Sequence, residues 1–73
     1  MKSYEALANA VIAQAARDYR RTLKVLRKNP NSRAGLANKK ELEKFFHSDY
    51  YRILTTLDAD YLMERVKKEV ESR

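Results

Sequence analysis

Cationic side chains recur at helical spacing in the first half of the chain, and they are the residues best suited to binding chemistry. They are Arg17, Arg20, Arg21, Lys24, Arg27 and Lys28. At about 100° per residue this set covers roughly a third of a helix circumference, opposite Tyr19 and Leu23. Such a face neutralises phosphates or binds an acidic protein surface. The alternative is an ordinary solvated face, because the helix dipole favours Lys and Arg near any helix C-terminus.

The positive charge is confined to the middle of the sequence. The chain has a formal net charge of +6, whereas residues 17–44 alone hold ten Lys and Arg against three Asp and Glu. Lys39, Lys40 and Lys44 follow the single glycine, Gly35. If Gly35 formed the turn of a helix-turn-helix, these lysines would lie on its reader helix, although short helical proteins often show this pattern. Both groups of cations are candidate contacts to nucleic acid or to an acidic partner.

Aromatic side chains follow these cations in two adjacent pairs, Phe45-Phe46 and Tyr50-Tyr51. Aromatic rings interleaved with cations can stack on the bases of a single strand. Their helical spacing favours the alternative, a core position with the tyrosine hydroxyls at its rim. Tyr51 falls off the apolar stripe of a helix continued past Ser48, so the pattern predicts that Tyr51 is the exposed aromatic candidate. That stripe consists of Leu42, Phe46, Tyr50, Ile53 and Leu57.

Residues for catalysis or metal binding are scarce. The chain has one histidine, His47, and no cysteine, so it offers no transition-metal cluster and no nucleophile–base pair. Asp58 and Asp60 resemble the start of a calcium loop, but the sixth position holds Met63 instead of glycine and the following residues read as helix. Gly35 alone cannot form a phosphate-binding glycine loop. We expect no cofactor, no metal and no enzyme activity.

Four helices are needed to position these residues. Ser3 is a candidate N-cap for a helix that ends at Lys28, before the turn formed by Asn29, Pro30, Asn31 and Ser32. The pattern then predicts helices over about 33–47, 49–56 and 59–72, capped by Ser32, Ser48 and Asp58. A continuous helix through Ser48 would place Asp49 within an apolar stripe, where an unpaired carboxylate is costly, so a break at Ser48 is favoured.

These elements predict one domain over residues 1–73, an all-α bundle of three to four helices with a long N-terminal helix. No apolar run approaches the roughly 18 residues of a membrane span, and polar residues interrupt the apolar N-terminal region too early for a signal peptide. A cytoplasmic location is expected. The small core makes a homodimer possible, with the alanine-rich half of the first helix as the expected contact. Its alanines are Ala6, Ala8, Ala10, Ala13, Ala15 and Ala16.

Short motifs along nearly the whole chain resemble a group of short uncharacterised proteins from prophages and conjugative elements of Gram-positive bacteria. The motifs are Tyr19-Arg20, Asn29-Pro30, Glu41 to Phe46 with Ser48-Asp49, Leu54-Thr55, Leu57-Asp58 and Tyr61-Leu62. That group has no known activity, so the resemblance transfers no functional residue. A mobile-element origin, taken with the basic face of the first helix, predicts a small accessory protein that binds nucleic acid or a nucleoprotein through that face. The alternatives are a counter-defence inhibitor of the anti-CRISPR type, which binds a host effector protein, and a structural homo-oligomer.

Overall fold

A computed structural model describes the backbone of residues 3–72 and the side chains of residues 6–72. Its helices are α1 (Ser3–Lys28), α2 (Arg33–Phe46), α3 (Asp49–Leu54) and α4 (Ala59–Glu71). The predicted fold class, a small all-α bundle with a long N-terminal helix, is confirmed. The predicted cap Ser3 lies outside the described side chains. Within residues 3–72, no helix combines the length and apolar character needed to cross a membrane.

The helix break at Ser48 is present. Ser48 adopts an extended backbone, and its hydroxyl accepts a hydrogen bond from the Tyr51 amide at 3.2 Å. The same hydroxyl donates to the Phe45 carbonyl at 2.6 Å, so one side chain ends α2 and begins α3. Asp49 occupies the first turn of α3, where the helix dipole favours a carboxylate. α3 ends at Leu54, two residues earlier than predicted, because Thr55 is fully extended.

The other two predicted caps are confirmed as well. The Ser32 hydroxyl accepts the Gly35 amide at 3.1 Å, and an Asp58 carboxylate oxygen accepts the Asp60 amide at 2.8 Å. Each cap satisfies an amide that has no partner within its own helix. Asp58 therefore serves as a helix cap, as the sequence indicates.

α1 is the central helix, and α2 packs against it in the antiparallel direction. Leu26, near the end of α1, contacts Gly35 near the start of α2, whereas Tyr19 contacts Glu43 farther along. A β-carbon at position 35 would lie 2.9 Å from Leu26 Cδ2. The absence of a side chain at Gly35 thus allows the two helices to approach closely at this end.

α4 packs on the other side of α1 and runs parallel to it. Leu23 and Lys67 line one groove between the two helices, and the Arg27 guanidinium donates to the Val70 carbonyl one turn farther on. One flank of α1 is therefore covered by α2 and another by α4. The surface of α1 opposite the core stays open to solvent.

Aromatic side chains form the centre of the core. Tyr19 and Phe46 are completely buried, and their rings meet edge to face with centroids 5.6 Å apart. Tyr51 packs on Phe46 at 5.7 Å in a similar arrangement. Such pairs add to the stability gained from apolar burial. The buried cluster comprises Ile12, Ala15, Tyr19, Phe46, Tyr51, Met63 and Val66.

A polar chain crosses from the core to the surface beside these rings. The Tyr19 hydroxyl donates to Glu43 Oε2 at 2.8 Å, and Lys39 Nζ lies 2.9 Å from the same oxygen. Burial and the neighbouring Glu43 raise the pKa of Tyr19 well above its ordinary value. Burial alone would raise the pKa of Glu43, but the hydrogen bonds from Lys39 and Tyr19 outweigh it and lower that pKa. The chain satisfies a buried hydroxyl and joins α1 to α2.

Candidate nucleic-acid interface

Four of the predicted cations form an outward-facing row on α1, which we call the basic strip. Arg17, Arg21, Lys24 and Lys28 are exposed and lie within about 60° of helix circumference. With a rise of 1.5 Å per residue, the strip is about 16 Å long. Asp18 is the only acidic residue between positions 6 and 28. The open side of α1 therefore presents a short, almost purely positive surface.

The other two predicted cations of α1 are directed toward α4. Arg20 Nη2 lies 3.4 Å from Glu69 Oε1, and its side chain is 41% exposed. The Arg27 guanidinium donates to the Val70 carbonyl near the end of α4. Both contacts join α1 to α4, so Arg20 and Arg27 have structural partners in addition to any ligand.

A polar network orients the start of the strip. Arg17 Nη2 donates to Gln14 Oε1 at 2.9 Å, and Gln14 Nε2 donates to Asp18 at 3.0 Å. Arg21 Nη1 lies 3.9 Å from Asp18, and its side chain is 76% exposed. An exposed ion pair of this length contributes little to stability and separates readily when a phosphate competes for the guanidinium.

A shallow depression of about 690 Å³ lies at the C-terminal end of the strip. Arg21, Lys24, Arg27 and Lys28 surround it, and Val25, which is 44% exposed, forms part of its apolar lining. Cations around an apolar floor suit a ligand that combines negative charge with an apolar face, such as a nucleotide. Val25 was not among the predicted site residues, because a single valine among cations gives no sequence signal.

The lysines of α2 lie on a separate surface. Lys39 pairs with Glu43 at 2.9 Å, whereas Lys40 and Lys44 are exposed. At about 100° per residue, Lys40 and Lys44 project at least 120° away from Gly35, which faces α1. Gly35 itself lies inside α2, so the helix-turn-helix considered from the sequence, with its turn at Gly35, is wrong. The cations of α1 and α2 do not form one continuous patch.

The prediction that Tyr51 is exposed is also wrong. Tyr51 is 2% exposed, and burial, with a smaller effect of the Asp58 charge, raises its pKa. The helix break at Ser48 changes the direction of α3, so Tyr51 points into the core while Tyr50 and Ile53 point outward. Tyr50 is 55% exposed, and it lies on α3, away from the strip.

His47 joins two helix ends. Its Nδ1 lies 3.0 Å from the Glu43 carbonyl oxygen and its Nε2 lies 3.1 Å from Asp60 Oδ1, so both ring nitrogens face oxygen acceptors. The imidazole therefore bridges the end of α2 and the start of α4. Among the side chains of residues 6–72, no three histidines or carboxylates gather closely enough to hold a metal ion.

No protein family, no curated protein and no solved structure matches the chain.

Proposed function

We propose that this protein is a non-enzymatic binding module that uses the basic strip to bind nucleic acid. The observation that carries the proposal is the row of four outward-facing cations, Arg17, Arg21, Lys24 and Lys28, on the open side of α1. Asp18 is the only acidic residue between positions 6 and 28, and Glu41 of α2 shares a groove with Arg21 at the edge of the strip. A solvated helix face ordinarily mixes both signs of charge, as α4 does in this protein.

The length of the strip suits a phosphate backbone. Phosphates follow one another every 3.4 Å along the axis of each duplex strand, so a strip of about 16 Å spans about five base pairs. Contacts to phosphates position a protein without reading sequence. The strip alone therefore accounts for sequence-independent binding, and the depression around Val25 offers room for a sugar or an unpaired base.

An acidic protein surface is the alternative partner, because carboxylates and phosphates attract the same cations. A counter-defence inhibitor would use the strip in this way. The mobile-element origin, the cytoplasmic location and the absence of enzyme activity stay predictions.

Fluorescence anisotropy with labelled duplex DNA, single-stranded DNA and duplex RNA at low salt tests the proposal. The informative variant carries Arg21→Gln, Lys24→Gln and Lys28→Gln, which removes three cations of the strip and leaves the core untouched. We expect its affinity to fall by about tenfold or more, because each lost phosphate contact removes a counterion-release contribution.

The matched control carries Arg33→Gln, Lys40→Gln and Lys44→Gln. It also loses three positive charges, but from exposed positions on α2. We expect a smaller loss of affinity for this control, because these three side chains project away from the side of α2 that packs on α1. An equal loss in the two variants would show that binding follows net charge alone, and no binding to any of the three nucleic acids would favour an acidic protein partner.

A further inference from the structure

The N-terminal half of α1 has, over the described residues 6–16, an exposed surface that lacks charge. Residues 6–16 contain no Asp, Glu, Lys or Arg, although 36% of the chain is charged. Seven of these eleven residues are exposed: Ala6, Leu7, Asn9, Ala10, Val11, Ala13 and Gln14. Leu7 is 66% exposed and Val11 is 37% exposed. An uncharged, partly apolar helix surface in so charged a protein is typical of a contact surface.

A groove between α1 and α2 runs along this surface. It is a shallow, open groove of about 450 Å³, with Gln14 and Asp18 as its polar lining residues. Its apolar lining consists of Leu7, Ala10, Val11, Ala15, Leu42 and Phe45. Ala15 is only 8% exposed and forms part of the floor, whereas Leu7 and Val11 protrude at the rim. The small side chains of Ala10 and Ala15 leave room for another helix to approach closely.

We propose that the groove is filled by the same surface of a second copy, which forms an antiparallel homodimer whose two-fold axis passes close to Val11. A two-fold interface requires one patch to supply both the protruding side chains and the hollow that receives them. In this register Leu7 of each subunit lies opposite Ala15 of the partner subunit. The protruding leucine then covers the groove floor beside Leu42.

The charges at the edge of the patch are complementary in the same register. Asp18 lies opposite the first turn of the partner helix, since α1 begins at Ser3. A helix N-terminus carries partial positive charge and attracts a carboxylate. The basic strip begins at Arg17, so most of it lies beyond the overlapping segments. Two positively charged subunits can therefore associate without bringing their strips together.

The dimer has a consequence for binding that rests on the proposed function. The middle of each strip lies between Arg21 and Lys24, so the two strip centres are about 34 Å apart along the helix axes, at 1.5 Å per residue. A two-fold axis perpendicular to both helices places the strips on one face of the dimer. One turn of duplex DNA also measures about 34–36 Å. The dimer therefore presents two basic strips at the repeat of the double helix.

Sedimentation equilibrium without nucleic acid tests the dimer independently of the proposed function. We expect the protein to approach twice its monomer mass of 8.6 kDa as its concentration rises through the micromolar range. Leu7→Glu should remain monomeric, because it places a carboxylate in the apolar contact. Ile53→Glu is the matched control and should dimerise, since Ile53 is equally exposed, at 68%, but lies on α3. Circular dichroism is the check that both variants keep their helices.

Cysteine cross-linking tests the register, because the natural chain has no cysteine. A disulfide requires two α-carbons within about 7 Å, which only positions near the two-fold axis satisfy in a homodimer. Val11→Cys should therefore form a disulfide-linked dimer rapidly under mild oxidation. Val25→Cys should cross-link slowly, since Val25 lies on the same side of α1 but beyond the overlap.

Two results would overturn the dimer, and a third would overturn its register. One is a wild-type protein that stays at 8.6 kDa throughout the concentration series. The other is a Leu7→Glu variant that dimerises as well as Ile53→Glu. Faster cross-linking of Val25→Cys than of Val11→Cys would exclude this register. A dimer that binds no nucleic acid refutes the proposed function alone, and a monomer that binds it refutes the dimer alone.

Discussion

Replacing Tyr19 by phenylalanine removes one hydroxyl from the centre of the protein and keeps the ring. The Tyr19 hydroxyl donates to Glu43 Oε2 at 2.8 Å, and the tyrosine is completely buried. The ring packs edge to face on Phe46, and phenylalanine preserves that contact. Tyr19→Phe therefore isolates the hydrogen bond between α1 and α2.

The expected loss of stability follows from the charge and surroundings of Glu43. A hydrogen bond to a charged group contributes about 1.5–3 kcal/mol. Glu43 keeps its contact with Lys39 at 2.9 Å, and 30% of its side chain is exposed, so water replaces the lost donor. We therefore expect the low end of that range, about 1.5 kcal/mol at pH 7.

The stability lost on Tyr19→Phe should be smaller in acid than at pH 7. The hydrogen bonds from Lys39 and Tyr19 outweigh burial and lower the pKa of Glu43, so the carboxylate stabilises the fold in full above its ordinary pKa of 4.5. This stabilisation is lost as the pH falls through the lowered pKa of the folded state. Protonated Glu43 offers only a neutral acceptor, so the cost of Tyr19→Phe should fall to about 1 kcal/mol in acid.

Urea unfolding followed by circular dichroism at pH 7 and in acid measures both quantities. Tyr50→Phe is the control. Tyr50 is 55% exposed, so the loss of its hydroxyl should change the free energy of unfolding by less than about 0.5 kcal/mol. A cost of Tyr19→Phe no larger than that of Tyr50→Phe would refute the reasoning. An equal cost at both pH values would show that the charge of Glu43 plays no part.

Other substitutions and conditions test the remaining features of the fold. Gly35→Val should destabilise the protein by about 1–3 kcal/mol in thermal unfolding, because its β-carbon would lie 2.9 Å from Leu26 Cδ2; an unchanged melting temperature contradicts the close packing. Ser48→Ala removes the cap of α3 and should cost about 1 kcal/mol in urea unfolding, whereas no loss would show that the cap is dispensable. Burial raises the pKa of Tyr19 and Tyr51, so the stability that these neutral tyrosines contribute should be complete below pH 10.0 and fall as the pH rises above it; tyrosine absorbance that titrates fully near pH 10.0 before unfolding contradicts this burial.

Local signals in the sequence predicted the helices well. Ser32, Ser48 and Asp58 cap helices as expected, because a cap depends on a side chain and an amide two or three residues away. The break at Ser48 followed from the cost of placing Asp49 in an apolar stripe. Such interactions lie within one turn of the chain and need no knowledge of tertiary packing.

Predictions that depended on packing direction were less successful. Tyr51 was assigned to the surface from the phase of a stripe that runs through Ser48, but the break changes the direction of α3 and buries the ring. The contact of Arg20 with Glu69 depends on how α4 packs against α1, which local periodicity does not reveal. For the same reason, local periodicity did not predict that Lys40 and Lys44 lie apart from the basic strip.

The salt dependence of nucleic-acid binding tests the central proposal most directly. For duplex DNA the logarithm of the affinity falls with the logarithm of salt concentration by about 0.9 per neutralised phosphate. If Arg17, Arg21, Lys24 and Lys28 each meet one phosphate, a single strip should give a slope of about −3.6 per bound subunit. The variant with Arg21→Gln, Lys24→Gln and Lys28→Gln should then approach about −0.9 per subunit. A slope that is unchanged in this variant, or no binding at low salt, would contradict the assignment of the basic strip as the nucleic-acid interface.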